Sequence, residues 1–196
     1  MATKFWRIYG ILILSLILPV TAAAGTPTER TRITVDKVIN ILKDPALQPE
    51  SKKSERRTRL RAAIQPRFDF PEMAKRTLGS HWSRLTAQEQ QEFVRLFSDL
   101  LESTYVEKIE SYKGEAIVYT GEKQDKDHAQ VMTNVVTTKG EDFSINYNLR
   151  HVDGDWKVYD IIVENISLIN NYRAQFNRVL ETAGHDQLLR KLRKKI

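Results

Sequence analysis

The chain has 196 residues, enough for a substantial hydrophobic core, and carries 31 Lys and Arg against 25 Asp and Glu, a formal net charge of +6. It contains no cysteine, which excludes disulfides, thiol catalysis and zinc–thiolate sites. Its stability must therefore come from packing.

The first 24 residues have the pattern of a cleaved secretory signal. Lys4 and Arg7 precede an eleven-residue apolar run that ends at Pro19, and three consecutive alanines follow. A run of this length is too short to span a bilayer, which takes ~20 apolar residues, so it predicts export without an anchor. We expect a single domain over residues 25–196. An exported protein without disulfides fits a bacterial periplasm.

Helices dominate the first half of the mature chain. Apolar residues recur every three or four positions, and prolines at 45, 66 and 71 mark helix boundaries. Thr86 and Glu89 form a capping box ahead of the longest periodic stretch, which would make a helix of roughly 39 Å. The predicted helices span residues 29–43, 51–64, 71–78 and 87–112.

After Gly114 the apolar period shortens to two, which indicates strands. Phe143, Ile145, Tyr147 and Leu149 alternate with polar residues, as expected for an antiparallel sheet with one buried face. Strands are predicted at 115–120, 128–138, 142–151 and 156–164, and helices at 167–182 and 186–195. Helices grouped against one face of a four-stranded antiparallel sheet make an α+β domain.

The last predicted strand is apolar on both faces and leads directly into a helix, with Ser167 as the expected N-cap. Its alternation predicts two faces: Trp156, Val158 and Ile162 on one, and Tyr159, Ile161 and Val163 on the other. Asp160 lies in its middle. A carboxylate among apolar residues can act as a general base, but the sequence favours a paired structural carboxylate because it shows no second catalytic group nearby.

No catalytic or metal-binding constellation is evident elsewhere. His81, His128, His151 and His185 are scattered, and none has a partner at metal-ligand spacing. Phosphate loops and nucleophile elbows are also missing. The sequence therefore predicts no enzymatic activity, no metal and no cofactor.

Two clusters of basic residues, at 51–61 and 188–196, have two interpretations. Each can be a solvated helix face or tail, or a surface that attracts acidic partners or anionic lipid headgroups. Nucleic acid is not expected for an exported protein. A docking role for the second cluster would require the rate of encounter with such partners to change when Arg190, Lys191, Arg193 and Lys194 are neutralised.

The sequence also holds many apolar residues on the inward face of the sheet and the inner stripe of the long helix. They form either an ordinary core or the wall of a cavity, because a curved sheet beneath a long helix can enclose a volume. The candidate pocket residues are Phe93, Phe97, Leu101, Tyr105, Val131, Val135, Phe143, Ile145, Tyr147, Leu149, Trp156, Val158 and Ile162.

Three stretches make a family resemblance specific: LGSHWSRLTAQEQQEFVRLFSDLLESTYVEKIESYKG at 78–114, INYNLR at 145–150, and WKVYDIIVENISLINNYRAQF at 156–176. In this order the chain resembles the MlaC family of periplasmic phospholipid-binding proteins, also called the toluene-tolerance family. The resemblance runs from about residue 68 to 192. Asn165 stands where the family pattern has a glycine.

The resemblance implies an NTF2-like cupped sheet that holds phospholipid acyl chains inside. It implies a monomeric carrier between an outer-membrane lipoprotein–porin complex, MlaA-like, and a MlaD-containing inner-membrane ABC transporter, which together maintain outer-membrane lipid asymmetry. Two alternatives stay open: an enzyme on an NTF2-like cup with Asp160 as general base on a small apolar substrate, and an interaction protein with a fully packed interior.

Overall fold

The structure, a computed structural model, describes residues 25–195. The signal-peptide prediction falls on residues 1–24, outside this range. The predicted α+β class is confirmed, with helices covering an antiparallel sheet. The helices are α1 (Pro27–Lys43), α2 (Lys53–Ile64), α3 (Phe70–Leu78), α4 (Ala87–Glu110) and α5 (Leu168–Lys195). The strands are β1 (Ala116–Asp125), β2 (His128–Val136), β3 (Asp142–Val152), β4 (Asp155–Val163) and β5 (Ile166–Ser167).

The sheet has the strand order β1-β2-β3-β4-β5, with antiparallel neighbours throughout. It holds one strand more than predicted, the two-residue β5, which pairs with the end of β4. The turn between β4 and β5 consists of Glu164 and Asn165, with φ values of 48° and 64°. Asn165 therefore adopts the left-handed conformation that a glycine would take without strain.

The capping box at the start of α4 is present. The backbone N–H of Glu89 donates to the Thr86 hydroxyl at 3.3 Å, and the Thr86 N–H donates to the Glu89 carboxylate at 2.7 Å. These bonds satisfy donors that a helix start leaves free. The helix ends at Glu110, two residues before the predicted end, and its 24 residues make a rod of about 36 Å.

The first half of α4 packs against α5. The ring centroids of Phe97 and Tyr172 lie 5.3 Å apart, and those of Phe93 and Phe176 lie 5.7 Å apart, both in edge-on arrangements. This apolar cluster joins α3, α4 and α5. Helix α5 is broken at Gly184, whose φ of 74° is non-helical, which agrees with the predicted division at this glycine.

A second packed cluster closes one end of the sheet. It comprises Ala129, Val131, Leu149, Trp156 and Val158. The backbone N–H of Asp69, just before α3, donates to the Val158 carbonyl at 2.8 Å, so α3 starts at a fixed point on β4. The other end of the sheet lacks such a cluster in the described residues, and there the helices stand away from the strands.

Strand β4 contains a β-bulge that sequence periodicity did not predict. Leu149 of β3 pairs with Val158, but its neighbour Asn148 pairs with Asp160, so Tyr159 is the extra residue. A bulge shifts the alternation of side chains by one position. The predicted faces of β4 are therefore wrong beyond Val158, because Ile161 replaces Ile162 on the face that Val158 occupies.

Candidate functional site: an apolar cavity between sheet and helices

A cavity of about 740 Å³ lies between the sheet and helices α1, α2 and α4. This volume is in the upper part of the ~300 to 1,000 Å³ range of small-molecule sites. The sheet contributes branched and aromatic side chains from four strands. They are Ile117, Val135, Phe143, Ile145, Tyr147, Val158, Ile161 and Val163.

Helices form the opposite walls of the cavity. The second half of α4 contributes Leu101, Tyr105, Val106 and Ile109. Helix α1 presents Val35, Val38, Ile39 and Leu42, and α2 presents Leu60 and Ile64. The α1 and α2 residues were not predicted, although Val35, Val38, Ile39 and Leu42 have the i, i+3, i+4, i+7 spacing of a buried stripe.

Seven of the thirteen predicted pocket residues line this cavity: Leu101, Tyr105, Val135, Phe143, Ile145, Tyr147 and Val158. Phe93 and Phe97 instead belong to the cluster between α4 and α5. Val131, Leu149 and Trp156 belong to the cluster at the closed end of the sheet. Ile162 pairs with Asn146 of β3. Because the bulge at Tyr159 shifts the alternation of β4, Ile162 lies on the opposite face from the one predicted and does not line the cavity.

Two tyrosine hydroxyls of the cavity wall stay neutral, and the buried guanidinium of Arg67, which also lines the cavity, is paired with Asp155. Burial, with a smaller effect of the neighbouring Tyr172, raises the pKa of Tyr105 to about 12. Burial raises the pKa of Tyr147 further still, with an added effect of Tyr119. Tyr147 keeps accessible surface because it faces the cavity, although it lies deep in the molecule. These neutral hydroxyls leave the interior suited to uncharged, apolar ligand groups.

Asp160 does not line the cavity. Its carboxylate accepts hydrogen bonds from the Ser167 hydroxyl at 2.7 Å and from the Ile169 backbone N–H at 3.1 Å. Asp160 is 7% exposed. It is therefore the paired structural carboxylate that the sequence favoured, and a base at this position would not face a substrate held in the cavity.

Charged and exposed residues surround the openings of the cavity. Arg57, Arg61 and Glu102 line it where α2 meets α4, and Lys108 lines it near the end of α4. On the sheet side, Ile166 at the start of β5 is 65% exposed and follows the polar turn residues Glu164 and Asn165. The site is thus apolar within and charged at its margin, an arrangement that suits an amphipathic ligand.

Comparison with known proteins identifies the family. The family model described as MlaC protein matches residues 32–194, most of the chain. The chain belongs to the MlaC family. This confirms the resemblance carried by the three sequence stretches.

Two curated relatives extend the MlaC assignment over nearly the whole chain. The intermembrane phospholipid transport system binding protein MlaC of Haemophilus influenzae is 22% identical over 195 residues, which cover 96% of this chain and 91% of the relative. The toluene tolerance protein ttg2D of Pseudomonas putida is 27% identical over 180 residues, which cover 90% of this chain and 84% of the relative.

A solved structure shares the MlaC fold. The phospholipid-binding protein of Ralstonia solanacearum, in complex with a phospholipid, superposes with a TM-score of 0.78 at 26% identity. The match covers 87% of this chain and 97% of that protein. Within residues 25–195, none of the helices is both long and apolar enough to cross a membrane.

Proposed function

We propose that this MlaC-family protein is a periplasmic carrier that shuttles phospholipids between the outer membrane and an inner-membrane ABC transporter. The observation that carries the proposal is the apolar cavity of about 740 Å³ beneath α4. The Ralstonia solanacearum relative, which shares the fold, is a phospholipid complex. The Haemophilus influenzae relative is named for intermembrane phospholipid transport.

The chemistry of the cargo explains why a cavity is needed. A phospholipid carries roughly 30 methylene-type groups, and exposing them to water costs on the order of 24 kcal/mol at ~0.8 kcal/mol each. Diffusion of a bare lipid through water is therefore impractically slow. A protein whose cavity takes up the acyl chains removes most of this cost, and it does so without breaking a bond.

The polarity of the site sets the orientation of the ligand. The acyl chains would lie against residues such as Val38, Leu60, Ile145 and Ile161, and the headgroup would remain near the charged margin. Because apolar burial is non-directional, binding should depend strongly on the chains and weakly on the headgroup. No cofactor is required for this function.

The carrier would work as an exported monomer. Residues 1–24 would direct it to the periplasm and be removed, leaving residues 25–196 as one phospholipid-binding domain. Its partners would be the MlaA-like complex in the outer membrane and the MlaD-containing transporter, and these would maintain lipid asymmetry. A protein without an energy source moves lipid either way, so the partners decide the direction.

A transfer experiment tests the carrier function. Donor vesicles with a labelled phospholipid and unlabelled acceptor vesicles are separated by a membrane that passes the protein but not the vesicles. We expect label in the acceptor vesicles in proportion to the protein added. Lack of transfer above the protein-free rate would contradict the carrier function, and label released as a cleaved product would favour an enzyme.

A further inference from the structure

Helices α1 and α2, with the turns between them, form a unit that we call the lid (residues 27–64). Neither of the two packed apolar clusters contains a residue of the lid. The apolar faces of α1 and α2 point into the cavity instead. Leu47, Leu60 and Ala63 of the lid are buried, and Thr28 donates to Glu122 of β1. The ion pairs that join the lid to the rest of the protein fall into two groups at opposite ends.

The first group lies where α1 begins and β4 starts. Arg30 makes a two-pronged contact with Asp155, with both nitrogen–oxygen distances at 2.7 Å. Arg67, which is 7% exposed, donates to the same carboxylate at 2.9 Å and to the Trp156 carbonyl. Such planar, paired contacts fix orientation as well as distance. We call this group the hinge.

The second group joins α2 to α4. Glu110 accepts from Arg56 at 2.8 Å and from Arg57 at 2.8 Å and 3.0 Å. Further along the same seam, Arg61 contacts Glu102 at 2.5 Å. Arg57, Arg61 and Glu102 also line the cavity. We call this group the latch.

Glu110 is the centre of the latch. Its side chain is 10% exposed and that of Arg56 is 12% exposed, so both charges are largely removed from water. Burial favours the neutral acid, but hydrogen bonds from Arg57 and Arg56 hold the pKa of Glu110 below its usual range. Loss of this one carboxylate would leave Arg56 without its acidic partner and Arg57 with the more distant Glu107, at 3.8 Å, which is unfavourable for two guanidinium groups held close together.

We propose that the lid turns about the hinge at Asp155 and opens along the latch at Glu110, so that acyl chains enter and leave between α2 and α4. The proposal rests on the carrier function above. It makes opening of the lid the step that limits the rate of lipid exchange. Ion pairs suit this role because they break without exposing a packed core to water. Much of each separating face is already cavity wall: Leu60 and Arg61 of α2, and Glu102 and Val106 of α4, line the cavity.

The first test replaces the central carboxylate. Glu110→Gln keeps the size of the side chain but removes its charge, and we expect bound labelled phospholipid to exchange at least fivefold faster. Glu55→Gln is the matched control, because the partners of Glu55 are Lys52 and Arg59, which both belong to the lid and not to α4. Equal exchange rates in Glu110→Gln and the wild type would overturn the proposal.

The second test closes the latch covalently. The chain has no native cysteine, so Arg57→Cys with Glu110→Cys gives two unique thiols that a short bis-maleimide can bridge. After loading with labelled lipid, the bridged protein should exchange at least tenfold more slowly than the same variant before bridging. Unchanged exchange in the bridged protein would place the opening elsewhere.

The two proposals fail in different ways. If the lid proposal fails, the bridged and unbridged proteins both hold phospholipid and exchange it equally fast. If the carrier function fails, organic extraction recovers no phospholipid from these variants or from the wild type. The unbridged double variant serves as its own control for folding, because it differs from the bridged protein in the linker alone.

Discussion

Asp160 accepts a hydrogen bond from the Ser167 hydroxyl at 2.7 Å and so ties β4 to the first turn of α5. The same hydroxyl accepts from the Asn170 backbone N–H at 3.1 Å, which is the N-cap bond expected from the sequence. The Ile169 N–H completes the set at 3.1 Å from Asp160. Asp160 thus sets the angle between the last long strand and the helix that supports α4.

The Asp160→Asn variant separates the structural role from a catalytic one. A hydrogen bond to a buried charged group contributes ~1.5–3 kcal/mol, so we expect the free energy of unfolding to fall by about 2 kcal/mol in urea titrations. Phospholipid content should stay unchanged, since Asp160 does not line the cavity. Asp125→Asn, at an exposed strand end, is the control. An unchanged free energy of unfolding would show that Asp160 does not anchor α5 to β4.

The cavity predicts opposite results for two similar substitutions on β3. Ile145 lines the cavity, so Ile145→Trp should fit into open space, with less than about 1 kcal/mol lost in stability and most bound lipid displaced. Leu149 is fully buried in a packed cluster, so Leu149→Trp should destabilise the protein by ~1–3 kcal/mol. Urea unfolding and lipid extraction measure both effects. Equal destabilisation would mean that the interior is packed throughout.

Asp155 predicts an acid-sensitive hinge. Burial would raise its pKa, but hydrogen bonds from Arg30 and Arg67 hold the pKa of Asp155 well below the ordinary value of 3.8. A depressed pKa stabilises the folded state above that value, and this stabilisation is lost as the pH falls below about 4. The Asp155→Asn variant should therefore be less stable than wild type at pH 7, with the difference shrinking towards pH 2.

We expect a difference of about 2 kcal/mol at pH 7. This is less than the ~3–5 kcal/mol for breaking a fully buried pair, because the Asp155 side chain remains 23% exposed. Urea midpoints measured from pH 2 to 7 supply the comparison. A constant difference across this range would show that the carboxylate is not the source of the stabilisation.

The two basic clusters differ in how their charges are paired. On the first cluster, Lys52, Lys53 and Arg59 each contact a glutamate of the same segment within 3.1 Å. In the second, Arg193 contacts Glu92, whereas Lys191 and Lys194 have no acidic partner within 4.0 Å among the residues described. The C-terminal cluster is therefore the better candidate for attracting anionic surfaces.

A matched pair of triple variants tests this candidate. Neutralising Arg190, Lys191 and Lys194 with glutamine should slow lipid uptake from anionic vesicles severalfold at low salt, since each charge near such a surface contributes ~1 kcal/mol. Arg193 is kept because it contacts Glu92. Glutamine at 52, 53 and 59 changes the net charge equally and should have little effect. Equal slowing by both triple variants would exclude a localised docking site.

Local sequence signals predicted most of the fold. The capping box at Thr86, the alternation around Ile145 and the break at Gly184 all act over a few neighbouring residues, and each is present in the structure. The faces of β4 could not be predicted in the same way. The extra residue at Tyr159 is defined by its pairing with β3, which is a contact between distant parts of the chain.

The cavity wall was predicted only in part, for a related reason. An apolar stripe shows that a helix face is covered, but it does not show what covers it. Phe93 and Phe97 lie on the same stripe as Leu101 and Tyr105, yet only the latter two of these four also reach the cavity. In α2, Leu60 lies between Arg59, which pairs with Glu55 of the same helix, and Arg61, which pairs with Glu102 of α4, so the strongly basic sequence hides a cavity-facing residue.

The most direct test of the carrier account is chemical analysis of the purified protein. Residues 25–196 are produced in the bacterial periplasm, purified without detergent, extracted with organic solvent and examined by mass spectrometry. The account predicts close to one phospholipid per protein molecule, with mixed headgroups, and a marked loss of this lipid in Ile145→Trp. Protein that carries no phospholipid, and takes none up from vesicles, would contradict it.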